Sequence, residues 1–223
     1  MGPKDIEPAY SAQASCFYPN PKLEEAIQHL QSSNNDDFKE QRVVVQGSGK
    51  LRHLEIYERY FKEIFLVDTK FQLTRELTLF GEKTTVKRFI KERQNRSGYN
   101  YTVLTATEFE EAKVEARLLF NVNVLDVVTP RVRKQVLCDA SFNLQSEGLG
   151  IFIVPRNDSS ILKRCKPENK HLDGHIFSHH GTHTFFKNFQ NKEELIEKLE
   201  RARFKLIKDL STYRQICFIA KKI

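Results

Sequence analysis

The chain has 223 residues, 39% of them apolar, with 17 Phe, 7 Tyr, no Trp and a formal charge of +7. That length suits one large domain, or one domain with an extension, and that apolar fraction builds a core of ordinary size. No run approaches the roughly 18 apolar residues of a membrane span, and the opening MGPKDIEPAYSAQ lacks the apolar centre of a secretory signal, so neither a membrane protein nor a secreted one is expected.

The first 19 residues show no periodic pattern. In NPKLEEAIQHLQ, Asn20 is placed to cap a helix and Pro21 suits its first position, while Leu23, Ala26, Ile27 and Leu30 recur on one face. The polar link SSNNDDFKEQ follows, so residues 1–40 read as an N-terminal extension holding one helix and residues 41–223 as the main domain. From Arg42 strands and helices alternate. RVVVQ is a short apolar strand, and LRHLEIYERYF is helical with Leu54, Tyr57 and Phe61 on one side. KEIFLVD is a second strand, ending at Asp68. Residues 70–95 read as helix, broken near Gly81. YTVLTA is a third strand, EFEEAKVEA a short helix and RLLFNV a fourth strand. Thr129-Pro130 opens a helix with Val132, Val136, Leu137 and Ala140 at helical spacing, and GLGIFIVP is a fifth strand. Residues 156–190 read as a long irregular stretch. Asn191 and Glu194 match a capping box at the start of KEELIEKLERA, and the strands FKLIKDL and RQICFIAKK close the chain.

Apolar strands alternating with helices predict a mostly parallel sheet covered on both faces. The last two strands are joined only by STY. That connection is too short for a parallel crossover, so an antiparallel strand belongs at the C-terminal edge.

The chemistry starts from VVVQGSGKLRHLE, Val43 to Glu55. Ligands of open α/β sheets bind at the carboxyl ends of the strands. One glycine there permits a tight turn and a second lets a ligand approach bare backbone, which is how Gly47 and Gly49 are placed. A ribose-binding carboxylate belongs at the end of the second strand about 20 residues on; Asp68 lies 21 residues after Gly47. Both nicotinamide dinucleotides and S-adenosylmethionine use this arrangement. The third glycine of GxGxxG is missing, Leu51-Arg52 standing in its region, and the chain ends on a hairpin rather than a sixth parallel strand.

With that hairpin, GSG after strand one and Asp68 after strand two, the chain resembles the class I S-adenosylmethionine-dependent methyltransferases over roughly residues 42–223. NVNVLDVVTPRVRKQVL is similar to that family's fourth strand with the helix after it, and LQSEGLGIFIVPR to its fifth-strand segment. The resemblance implies a Rossmann-like three-layer α/β sandwich with a seven-stranded sheet in the order 3-2-1-4-5-7-6, strand 7 antiparallel, and S-adenosyl-L-methionine as cofactor. It also implies that Gln46, Gly47, Ser48 and Gly49 hold the methionine part, that Asp68 takes the ribose hydroxyls, that Thr105 and Ala106 flank the adenine, and that Asn121, Val122 and Asn123 face the transferred methyl. The chain departs from the family at Gln46, where an acidic residue is common, and at Leu51, where a third glycine is common. It also lacks the Asn/Asp-Pro-Pro-Tyr/Phe motif after strand four, which argues against methylation of exocyclic base amines.

The charge is unevenly spread. Residues 1–155 hold 21 Lys and Arg against 21 Asp and Glu, while residues 156–223 hold 15 against 8 and five of the seven histidines. A local excess of this kind points to an anionic substrate, RNA or DNA first; the plainer reading is a solvated lysine-rich surface. Histidines 175, 179, 180 and 183 follow strand five, on the ligand edge. Three readings compete: a metal site on His179 and His183, catalytic or orienting side chains, or surface-loop residues. The reading carried forward is catalytic for His179 and His180, with Arg156, His175 and His183 on the substrate and no metal. KTTVKRFIKERQNR, Lys83 to Arg96, carries six basic residues and one acidic, which fits either phosphate contact or a solvated helix face. The cysteines at 16, 138, 165 and 217 include no CxxC pair, as expected of reduced thiols in the cytoplasm. The alternative to an enzyme is a binding module that keeps the fold and the basic surface, with a protein partner, and transfers no methyl group.

Overall fold

The computed structural model describes residues 19–34, 38–156, 162–163, 165–179 and 182–223. Helix α1 (Pro21–Asn34) starts where Asn20 Oδ1 accepts from Lys22 N at 3.0 Å. It is followed by β1 (Arg42–Gln46), α2 (Leu54–Tyr60), β2 (Glu63–Asp68), α3 (Lys70–Thr74), a hairpin of β3 (Leu77–Leu79) and β4 (Glu82–Thr84), α4 (Val86–Arg96) and β5 (Asn100–Thr105). Then come α5 (Ala106–Glu111), β6 (Ala116–Val122), α6 (Pro130–Asn143) and β7 (Leu144–Pro155). Beyond them lie β8 (Lys170–His171), β9 (Gly174–His179), β10 (Thr182–Phe186), α7 (Lys192–Arg201), β11 (Phe204–Asp209) and β12 (Gln215–Lys222).

Seven strands form one sheet in the order β5-β2-β1-β6-β7-β12-β11. The first five are mutually parallel, and β12 runs antiparallel to both β7 and β11. Counting only these strands along the chain, the order is 3-2-1-4-5-7-6, as expected. Helices α1, α2 and α4 bury one face of the sheet, with Leu23, Ile27, Tyr57, Phe61 and Ile90 against Val43, Leu118 and Ile151. Helices α5, α6 and α7 bury the other, with Phe109, Leu137 and Leu195 against Val44, Leu119 and Phe218. The parallel register sets Gln46 beside Val67 and Asn121, and Asp68 beside Thr105. The strand ends that carry the predicted site therefore share one edge.

Two predicted segments differ. Residues 70–95 are not one broken helix but two helices flanking the β3–β4 hairpin. Thr69 and Thr85 each accept a backbone N–H three residues on and start separate helices. Between them Phe80 (φ 49°) and Gly81 (φ 91°) form a two-residue turn with both residues left-handed, the turn whose twist suits a hairpin. The irregular stretch 156–190 contains a three-stranded antiparallel sheet in the order β10-β9-β8. Phe177, Phe185 and Phe186 of these strands are buried; the interspersed histidines hid the strands in the sequence. The capping box at α7 does not form, since Asn191 stands at the cap position without a side-chain bond. A capping box does close between Thr105 and Glu108 at the start of α5.

Candidate functional site

The loop after β1 is shaped by three left-handed residues, Gly47 (φ 78°), Gly49 (φ 54°) and Leu51 (φ 58°). A Cβ on Gly47 would lie 2.2 Å from Val124 Cγ2, so glycine is required there by packing against the β6–α6 loop. At Gly49 a Cβ would meet nothing nearer than 3.9 Å, and only the backbone conformation calls for glycine. Gly47 N and Ser48 N both donate to Val67 O, at 2.8 and 3.1 Å. Asp68 joins the loop to the next helix: Oδ2 accepts from Gly49 N at 2.7 Å and Oδ1 from Thr69 N at 2.8 Å. Gln72 Nε2 adds a bond to Gly49 O at 2.7 Å. Loss of hydration raises the Asp68 pKa to about 6, against the pull of those two N–H donors and of Arg75.

Behind the loop, Gln46 and Asn121 are buried and bonded to each other, Asn121 Nδ2 donating to Gln46 Oε1 at 2.9 Å. Gln46 Nε2 donates to Val136 O at 2.9 Å. A small cavity of about 10 Å³ is lined by Gln46, Gly47, Ser48, His53, Tyr57 and Val122 among others. Ser48 Oγ and Tyr57 OH are buried there without partners, as is Asn121 Oδ1 beside Gln46. His53 Nε2 accepts from Asn20 N at 3.0 Å, tying the start of α1 to this corner. Burial first, and then the charge of Arg52, lowers the His53 pKa to about 4, which keeps it a neutral acceptor. Thr105 caps α5 with its hydroxyl, Ala106 is exposed in the first turn, and Asn123 is exposed and left-handed (φ 55°), its N–H on Ile153 O at 2.8 Å.

The β6–α6 loop is clamped by a residue the sequence reading passed over. Arg133 is 1% exposed. It donates to Leu125 O (2.6 Å), Val128 O (2.9 Å) and Asp173 Oδ2 (2.6 Å), and its guanidinium lies 5.2 Å from the Phe189 ring centre. The signal was present: Arg133 shares a helical face with Leu137 and Ala140, an apolar stripe on which an arginine needs buried partners. In the same loop Asp126 is buried, its Oδ1 has no partner, and burial raises its pKa to about 7. A second cavity of about 440 Å³ is lined by Asp173, His175, Lys187, Asn188, Asn191 and Glu194, together with Leu162, Cys165 and Gln190. Three of these carry a buried polar atom without a partner: Asp173 Oδ1, His175 Nδ1 and Asn188 Nδ2.

The other predicted residues are dispersed. His175 lines this cavity, whereas Arg156 Nε donates to Gln190 O at 2.9 Å. In the β9–β10 ladder His179 pairs with Thr182 and His183 with Ser178. His180 lies outside the described residues. Among the described residues, no three His, Cys, Asp or Glu side chains are grouped to hold a metal, and no helix is long and apolar enough to cross a membrane.

No family profile and no curated protein matches the sequence. Solved structures do match in fold. A 1,6-didemethyltoxoflavin-N1-methyltransferase of Burkholderia thailandensis, bound to 1,6-didemethyltoxoflavin and S-adenosylhomocysteine, is similar at a TM-score of 0.60 and 14% identity, over 90% of this chain and 77% of its own. S-adenosylmethionine-dependent methyltransferases of Methanosarcina mazei (TM-score 0.61, 14% identity, 92% and 99%) and Clostridium acetobutylicum (0.64, 12%, 94% and 93%) are similar over nearly their whole lengths. The chain has the fold of the class I S-adenosylmethionine-dependent methyltransferases.

Proposed function

We propose that the protein is an S-adenosylmethionine-dependent methyltransferase acting on an anionic acceptor, nucleic acid first. The observation that carries this reading is one edge of the sheet: strands ordered 3-2-1-4-5-7-6, the left-handed Gly47 and Gly49 after the first, and Asp68 closing the second. The residues there fit the cofactor. Asp68 offers two acceptor oxygens for ribose hydroxyls, and Gln46 to Gly49 offer backbone to the methionine part. Thr105 and Ala106 border the base, and Asn121, Val122 and Asn123 border the transferred group. The cofactor, when bound, supplies the methyl sulfonium. The protein's contribution is to orient the partners and exclude water. Asp68 now engages Gly49 N, so binding exchanges that N–H for ligand hydroxyls. The acceptor enters by the cavity of about 440 Å³ that His175 lines; by the sequence expectation His183 and Arg156 contact it and His179 and His180 move its proton.

A second reading, a binding module without methyl transfer, draws on the tight loop: the cavity beside it is only about 10 Å³, and Val124 packs on Gly47. Calorimetry of the full chain with S-adenosylhomocysteine and with NAD, followed by transfer of labelled methyl to RNA, DNA and small heterocycles, separates them. Micromolar S-adenosylhomocysteine binding with label on an acceptor supports the enzyme. Binding of neither compound sinks it and favours the module.

A further inference from the structure

Residues 1–155 balance in charge by count, but not where they meet the ligand edge. Lys50 lies in the loop after β1, Lys70 opens α3, Arg75 follows its end, and Lys87 lies in the first turn of α4. The Gln72–Gly49 bond and the Asp68 carboxylate fasten α3 to the glycine loop, so Arg75 is held beside that loop. Its guanidinium sits 5.3 Å from the Phe71 ring centre, and its Nε and Nη2 are buried with no partner.

Those two nitrogens form the edge of an arginine that presents parallel N–H groups to a pair of oxygens. The same molecule shows this edge in use: Arg93 Nε and Nη2 grip the two carboxylate oxygens of Glu58. At Arg75 no carboxylate fills the fork. Asp68 acts on Arg75 by charge, but its two oxygens accept from Gly49 N and Thr69 N. Burial first, and then the charges of Arg52 and Arg75, lowers the Lys50 pKa.

We propose that Arg75, with Lys50 beside it, forms a phosphate-binding subsite on the rim of the glycine-loop site. The subsite deepens the functional reading by adding a contact for an anionic group at the β1–β2 end of the edge. It rests on that edge being a ligand site and not on which group is transferred. Arg75 is partly exposed. The phosphate belongs either to a nucleic-acid backbone or to a phosphorylated small molecule.

The test titrates inorganic pyrophosphate, and separately a single-stranded octanucleotide, into wild-type, Arg75→Gln and Arg75→Lys full-length protein at low salt, with melting curves to verify folding. Wild type should bind pyrophosphate at least tenfold more tightly than Arg75→Gln, with Arg75→Lys between them, because a lysine keeps the charge and loses the fork. Octanucleotide binding much tighter than pyrophosphate binding, and steeply weakened by salt, assigns the phosphate to a nucleic-acid backbone; equal affinities assign it to a small molecule. Equal pyrophosphate binding by wild type and Arg75→Gln, or none by wild type, overturns the subsite. S-adenosylhomocysteine is titrated into the same samples: its failure to bind while pyrophosphate binds counts against the methyl donor and leaves the subsite standing.

Discussion

Asp68 holds the glycine loop and the start of α3 together, and in the proposed site the cofactor would compete for the same oxygens. Asp68→Ala should weaken S-adenosylhomocysteine binding by about 1–3 kcal/mol, the effect of leaving hydroxyl partners unmatched; calorimetry showing equal affinities would remove Asp68 from the pocket. Asp126 makes a prediction about pH. Its folded pKa of about 7 lies well above the ordinary carboxyl value of 3.8. The folded state therefore keeps a proton that the unfolded chain has lost, so this stability is fully present below about pH 4 and is lost as pH rises through 7. Asp68, raised to about 6, acts in the same direction over a narrower window. His53, lowered to about 4, acts oppositely, costing stability as pH falls from 6.5 toward 4. Asp126→Asn should therefore gain on wild type in urea midpoint between pH 4.5 and 7.5; a constant difference across that range would refute the titration. Asp68 was legible because strand-end spacing alone locates it. Asp126 was not: Lys187 N donates to its carbonyl from 61 positions along the chain, a long-range packing that no local pattern reveals.

Among elements, helix starts were the most legible where a side chain and proline agree, as at Asn20-Pro21, and the least where β-branched residues compete with helix formers. Thr69, Thr84 and Thr85 with Gly81 turned a 26-residue helical reading (residues 70 to 95) into two helices and a hairpin. Phe80 holds its left-handed conformation while stacking on Phe89, with centroids 5.2 Å apart. Gly81→Ala should lower stability by roughly 1–2 kcal/mol through backbone conformation alone, since a Cβ there meets nothing within 4 Å. α1 is joined to the sheet by Leu23, Ala26, Ile27 and Leu30, all buried as their spacing predicts. Ile27→Ala should cost about 2–5 kcal/mol by chemical denaturation. A cost below 1 kcal/mol would mean that α1 is only loosely seated. Arg133 joins α6, the β6–α6 loop and the small sheet. Arg133→Met should cost about 3–5 kcal/mol, because Asp173 and two carbonyls lose their donor.

Across the whole molecule the sheet order was legible only through the family resemblance, and the antiparallel edge through the short link between the last two strands, because connection length constrains strand direction. The location of charge was not. Counting placed the basic surplus after residue 155, yet Lys50, Lys70, Arg75 and Lys87 gather at the ligand edge from a segment whose sum is zero, because folding sorts charges by position in space. The placement of β12 has a consequence for how the protein is made. This strand is synthesised after β11 and yet lies between β7 and β11, and its residues Ile216 to Ala220 are completely buried. A growing chain on the ribosome therefore carries β7 with an open flank and β11 with no neighbour to hold it until the last strand emerges. Both exposed flanks are templates for pairing with other chains, so a nascent chain stalled before Gln215 should depend on chaperone binding, and one that includes β12 should not.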